Sequence, residues 1–221
     1  DIAGNGRIWR LTYEGMERNT EKPRMYEETS AELVRHLSNP NGWWRDQAQQ
    51  LIILNQDKSV VKDLEKLVNS SDNELARIHA LWTLEGLNSL KVDLIRKLMK
   101  DNNPKIRIQA LRASESLYKY GEKSLAGDYR TMVKDSDIDV AFQALLSAYI
   151  LNIDKVEEFI KTSIKENKAQ SFQVVGTQLL EKMAEQKKLA ATQFAPEQLA
   201  LFNKGKTIFD GYCSTCHGVK G

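Results

Sequence analysis

A unit of about 32 residues recurs along this chain, and no other feature restricts its fold as strongly. Aligned on Arg45, Arg77, Arg107, Ala141 and Gln173, successive units lie 32, 30, 34 and 32 residues apart. Three places after each anchor stands a small residue: Ala48, Ala80, Ala110, Ala144 and Gly176. One place before it stands an apolar one: Trp44, Ala76, Ile106, Val140 and Phe172. Six places before it stands a short polar one: Asn39, Ser71, Asp101, Asp135 and Asn167. Short polar side chains accept hydrogen bonds from free backbone N–H groups at turns and helix starts. The apolar residue enters a core, and the small one lets two helices approach closely. Upstream of the turns run helical stripes such as Leu64, Leu67, Val68 and Leu94, Ile95, Leu98, Met99.

A helix, a short turn and a second helix cannot bury an apolar face alone, whereas stacked copies can. The spacing therefore predicts an all-α chain, with an α-solenoid of about five helix pairs over residues 29–186. Capping-box spacing at Thr29…Glu32, Ser71…Glu74 and Asp154…Glu157 marks helix starts. Only the first three anchors are Arg, so a ladder of Arg–carboxylate contacts is expected to stop after the third unit. Composition agrees with helices: 12 glycines and 4 prolines in 221 residues are few turn residues for an all-β chain. A charged fraction of 28% beside 41% hydrophobic residues is a globular balance. No apolar run of 18 residues encodes a transmembrane helix. A net charge of +2, with basic clusters no longer than pairs such as Lys187-Lys188, carries no nucleic-acid footprint.

The flanks read differently. From Arg7 to Tyr13 side chains alternate between Gly4, Gly6 and Gly15, which predicts a short strand whose partners lie elsewhere. Residues 16–28 are polar, contain Pro23 and read as a linker, or else as a disordered tail. Residues 187–195 read as a connector or an extended helix end. Pro196-Glu197 then opens a helix that is expected to run to about Tyr212, with Leu199, Phe202, Ile208 and Phe209 as its stripe and Gly205 weakening its middle.

That helix leads into Cys213-Ser214-Thr215-Cys216-His217-Gly218. Both cysteines of the chain fall in its last nine residues, so they serve one local site. Cys-x-x-Cys-His is the attachment signature of c-type haem. Two thiols at this spacing can each add to one porphyrin vinyl group, and the adjacent imidazole supplies the proximal iron ligand. A redox dithiol would need a helix beginning at the motif. A zinc site would need a fourth ligand. A structural disulfide would not require His217. The candidate cofactor-binding residues are Cys213, Cys216 and His217, with His217 as the metal ligand. No catalytic residues are assigned: there is no Ser-His-Asp set, Gly-rich phosphate loop or catalytic carboxylate pair. His36 and His79 read as packed or surface histidines on repeat helices. Of Trp43 and Trp44, the alignment turns one to the core. The charges of Lys182–Lys188 read as a solvated face.

Around the motif, Gly205-Lys206-x-Ile208-Phe209 and Gly218-x-x-Gly221 are similar to the opening of a class I cytochrome c domain, over residues 196–221. Such domains often take a Met ligand from well downstream. All five methionines here (Met16, Met25, Met99, Met132 and Met183) lie upstream, which implies only the first part of such a domain. The small polar turn followed by Arg and Ala resembles HEAT repeats. Gly6-Arg7-Ile8-Trp9-Arg10-Leu11 looks like the last strand of a β-propeller of the glucose/sorbosone dehydrogenase type. Ser30–Leu37 followed by Asn39-Pro40-Asn41-Gly42-Trp43-Trp44-Arg45 resembles the start of the HEAT region in large bacterial membrane-bound or PVC-type dehydrogenases. Those are ordered propeller, HEAT repeats, cytochrome c.

The resemblance implies a fragment in five parts: a propeller remnant (1–15), a linker (16–28), the HEAT solenoid (29–186), a connector (187–195) and the N-terminal part of a cytochrome c domain (196–221). It implies one covalent haem c and an extracytoplasmic, periplasmic-type location, because thiols are joined to haem outside the cytoplasm in bacteria. The implied parent is an oxidoreductase acting on a sugar or alcohol. Its catalytic residues, and PQQ or another propeller cofactor, would lie outside this chain. The implied partners are a redox protein or an adjoining propeller. A different class stays open: a HEAT-repeat module whose concave face binds a protein or a glycan, with the haem motif unloaded.

Overall fold

The computed structural model describes residues 11–16, 22–193 and 196–214. These residues are helical throughout their ordered elements, with no β-strand among them. In chain order the α-helices are α1 (Ser30–His36), α2 (Gly42–Asn55), α3 (Val61–Ser70), α4 (Glu74–Gly86), α5 (Val92–Leu98) and α6 (Pro104–Lys119). There follow α7 (Leu125–Met132), α8 (Ile138–Ile150), α9 (Val156–Glu166), α10 (Gln170–Gln193) and α11 (Pro196–Ile208). Each odd-numbered helix from α1 to α9 packs on the helix that follows it. The even-numbered helices also touch in series, α2 on α4, α4 on α6, α6 on α8 and α8 on α10.

The small column lies inside the stack of helices. Ala48, Ala80, Ala110 and Ala144 are fully buried, and Gly176 is buried with them. A Cβ added at Gly176 would lie 2.5 Å from the Ile164 side chain, so Ile164 occupies the place of the missing side chain. The apolar column is buried too: Trp44, Ala76, Ile106, Val140 and Phe172 all join the core or its edge.

The polar column shapes the turns. Asn39, Ser71, Asp101, Asp135 and Asn167 each accept the backbone N–H two residues on, at 2.9, 3.1, 2.9, 2.9 and 3.0 Å. That places Asn41, Asn73, Asn103 and Asp137 as the N-caps of α2, α4, α6 and α8, where each accepts from the first turn of its helix. Two capping expectations are corrected here. Asn73, not Ser71, caps α4. The N-cap position of α9 is Lys155 in a left-handed conformation, not Asp154. The box at Thr29 and Glu32 is present in both directions. The Thr29 N–H and hydroxyl hold the Glu32 carboxyl below its ordinary range.

The arginine column ties turns within and between units. Arg77 Nε donates to Val68 O at 2.7 Å, and its Nη1 and Nη2 reach Asp101 of the next unit. Arg107 Nη1 donates to Asp101 O at 2.8 Å, while its Nε and Nη2 grip Asp135 at 2.9 and 2.8 Å. Burial acts to raise the pKa of Asp101, but the Arg77 hydrogen bond, the Asn103 N–H and the charges of Arg77 and Arg107 bring it below its ordinary value. The ladder stops after the third unit, as expected. It also starts one unit late. Ser71 stands where the following units have Asp, so Arg45 donates to Asn39 O and Pro40 O, and its buried Nε has no partner. Gln173, at the fifth anchor, keeps the local half of the role by donating to Ile164 O and Asn167 O.

At the ends, Leu11–Tyr13 and the close of the last helix differ from expectation, while residues 187–193 follow one of the two readings given for them. Of the strand placed at residues 7–13, residues 7–10 lie outside the described residues. Leu11–Tyr13 are exposed and irregular, since a strand requires a paired neighbour and none is present among the described residues. Residues 187–193 continue α10, so this stretch is a helix end. The last helix closes at Ile208 and widens into a π-helical turn over Phe209–Cys213. No helix among the described residues is long and apolar enough to cross a membrane.

Two substitutions test this packing. Ala110→Leu overpacks a fully buried contact and should cost about 1–3 kcal/mol in urea unfolding. Ser71→Asp should add a third rung by meeting Arg45, stabilising the chain by about 1 kcal/mol, and the gain should vanish in an Arg45→Gln background.

Candidate functional site

Pro196 stands first in α11 and Glu197 lies in its positive first turn. The helix runs through Gly205, where an added Cβ would meet nothing within 4 Å. Lys206 and Asp210 pair at 2.8 Å one turn apart, bracing the passage from α-helix to π-turn. Ser214 Oγ donates back to Asp210 O at 2.9 Å and holds the end of that turn. The wider turn inserts extra backbone before Cys213 and so displaces the thiol from the α-helical stripe. Leu201, Ile208 and Tyr212 are exposed along this segment, and Cys213 is a free, half-buried thiol at its end.

Of the three candidate residues the structure therefore places one. Cys216 and His217 lie outside the described residues. Among the described residues no three His, Cys, Asp or Glu side chains gather into a metal-binding group. The donor set of the motif, two thiols and an imidazole, is the set that a covalently held haem requires.

The described histidines have structural partners. His36 Nε2 lies 2.7 Å from Glu28 Oε2, and its ring stacks near Trp44 with centroids 5.0 Å apart. His79 Nδ1 lies 2.7 Å from Gln49 Oε1. Burial lowers the pKa of His79, the unneutralised Arg45 adds to the shift, and Asp46 opposes it. Trp44 is buried while Trp43 is half exposed, so one of the pair faces the core.

A second feature was not singled out in the sequence. On the even-numbered helices, Trp82 Nε1 donates to Gln109 Oε1 at 2.8 Å, and the Arg112 guanidinium lies 5.9 Å from the Trp82 ring centroid. Further along, Ser147 donates to Glu115 at 2.6 Å and Gln143 to Ser147 at 3.1 Å. The signal was available: two places after the first four anchors stand Gln47, His79, Gln109 and Gln143. Of these, His79 joins α4 to Gln49 of α2 and Gln109 joins α6 to Trp82 of α4, a band of amide, imidazole and indole groups.

No protein-family model matches the chain, and no curated protein is significantly similar to it in sequence.

The His79 environment makes a pH prediction. Its folded pKa lies below the ordinary 6.5, so the stability it contributes is present above 6.5 and is lost as pH falls through the folded value. NMR titration should find the ring neutral below pH 6.5, with Arg45→Gln raising the midpoint and Asp46→Asn lowering it further.

Proposed function

We propose that this chain is a haem c-binding electron-transfer module carried on a HEAT-repeat solenoid, and that it belongs to a larger extracytoplasmic oxidoreductase. The observation that carries the reading is the sequence Cys213-Ser214-Thr215-Cys216-His217 directly following α11 and its π-helical turn. A thiol-disulfide centre puts its first cysteine at a helix start, where the dipole stabilises the thiolate. Cys213 has α11 and a π-helical turn leading into it. In the haem reading, each thiol adds S–H across one vinyl C=C to give a thioether, with no change in electron count. His217 in its neutral form donates a nitrogen lone pair to the iron. Bound haem supplies a one-electron Fe(III)/Fe(II) couple.

The solenoid part rests on the contact order of the helices and on the five-unit columns. Consecutive pairs, with second members touching in series, are how stacked helix pairs bury their faces. The resemblance to propeller–HEAT–cytochrome dehydrogenases supports a sugar or alcohol as the parent's substrate, with a redox protein or the adjoining propeller as the partner. The catalytic residues and any PQQ would belong to that propeller. A second reading has its own observation. The Trp82–Gln109–Arg112 band pairs an aromatic face with planar hydrogen-bonding groups, which suits a glycan or a protein partner on an interaction module with an unloaded motif.

Expression beside a haem-ligation system separates the two. The haem reading expects a chain heavier by one haem that survives denaturing gels. Cys213→Ala and Cys216→Ala should each leave a single tether, and His217→Ala should keep both thioethers but lose the proximal bond. A colourless wild-type chain, beside a control cytochrome that loads, would overturn it in favour of the interaction module.

A further inference from the structure

The turn between α5 and α6 carries a cleft of about 320 Å³ lined by Asn69, Arg77, Lys97, Lys100, Asp101 and Asn102. We propose that it binds a doubly charged tetrahedral oxyanion of the phosphate type. Its charges do not cancel. Asp101 is the one carboxylate in the lining, and Arg77 holds it through two nitrogens while the Asn103 N–H occupies Oδ1 as well. That pair is neutral as a unit. Lys97 Nζ donates to Asn69 Oδ1 at 2.6 Å, a neutral acceptor that leaves its charge uncompensated. The Lys100 ammonium has no partner among the described residues.

The repeat explains why Lys100 is left over. Seven places before the anchors stand Ser38, Ser70, Lys100, Lys134 and Glu166. Two members of this column meet across units, Lys134 Nζ lying 2.9 Å from Glu166 Oε2. In the column Lys100 is preceded by Ser70 and followed by Lys134, so the repeat supplies it no carboxylate at these positions. An anion from solution would fill that gap. Lysine binds phosphate as a point charge with rotatable donors, and the Lys97 ammonium keeps donors beyond the one given to Asn69. A monovalent halide would balance only half the charge.

The test uses the full chain and inorganic phosphate at pH 7.5, with chloride at matched ionic strength as the reference. Phosphate should raise the unfolding temperature where chloride does not, and ³¹P line broadening should report binding directly. The Lys97→Gln, Lys100→Gln double variant should weaken binding at least about tenfold, the size expected from losing charged hydrogen bonds. Lys165→Gln removes an exposed lysine of α9 away from the cleft and should leave binding unchanged. If phosphate binds the double variant as it binds wild type, the cleft is not the site. An equal loss in Lys165→Gln would reduce the effect to general charge, and no phosphate-specific effect on wild type would also overturn the proposal. Glycerol phosphate in place of inorganic phosphate shows whether the anion is free or part of a larger molecule: binding through the same lysines supports the site with either source.

Discussion

Close approach of neighbouring helices is the constraint on which the rest of this structure depends. Four alanines and one glycine of the even-numbered helices are buried, the Ile164 side chain of α9 fills the space beside Gly176, and a larger side chain at any of the five would force its neighbours away. That approach brings the turn of one unit against the turn of the next. There the arginine column ties its own turn through backbone carbonyls and, where the next unit has Asp, ties the neighbour as well. The polar column does local work first, by accepting an N–H two residues on, and the inter-unit ion pair is built on that fixed carboxylate.

This order of dependence explains what was legible in the sequence. The three columns were readable because each has one physical demand, namely small size, apolarity or a short acceptor, repeated five times. The N-caps were misplaced because Ser71 and Asn73 are both short and polar, and only backbone geometry decides which one caps α4. Asp154 fails as a cap for a related reason. The chain enters α9 through a left-handed Lys155, which sequence spacing does not reveal. The late start of the ladder was visible in principle, since Ser71 carries no charge, but it needed the knowledge that each Arg reaches forward one unit.

The C-terminal site was legible in another way. Haem attachment fixes residue types at fixed spacing, so five letters carry the proposal without any fold argument. The π-turn before Cys213 was not legible, because five residues give no period to read and Gly211 within them permits many backbones. What the fold adds is the approach: α11 and a π-helical turn lead into Cys213, with exposed apolar side chains along them. The band around Trp82 and the cleft around Lys100 lie on the repeated helix pairs, apart from α11 and Cys213.

The most direct test of the central claim is local. Cleavage after Lys206 and Lys220 releases Thr207–Lys220, which contains both cysteines and His217. In chain matured beside a haem-ligation system, mass spectrometry of this peptide should show one added haem, and neither thiol should react with an alkylating agent. A peptide of unmodified mass with both cysteines alkylated, from cells that load a control cytochrome, would contradict the account.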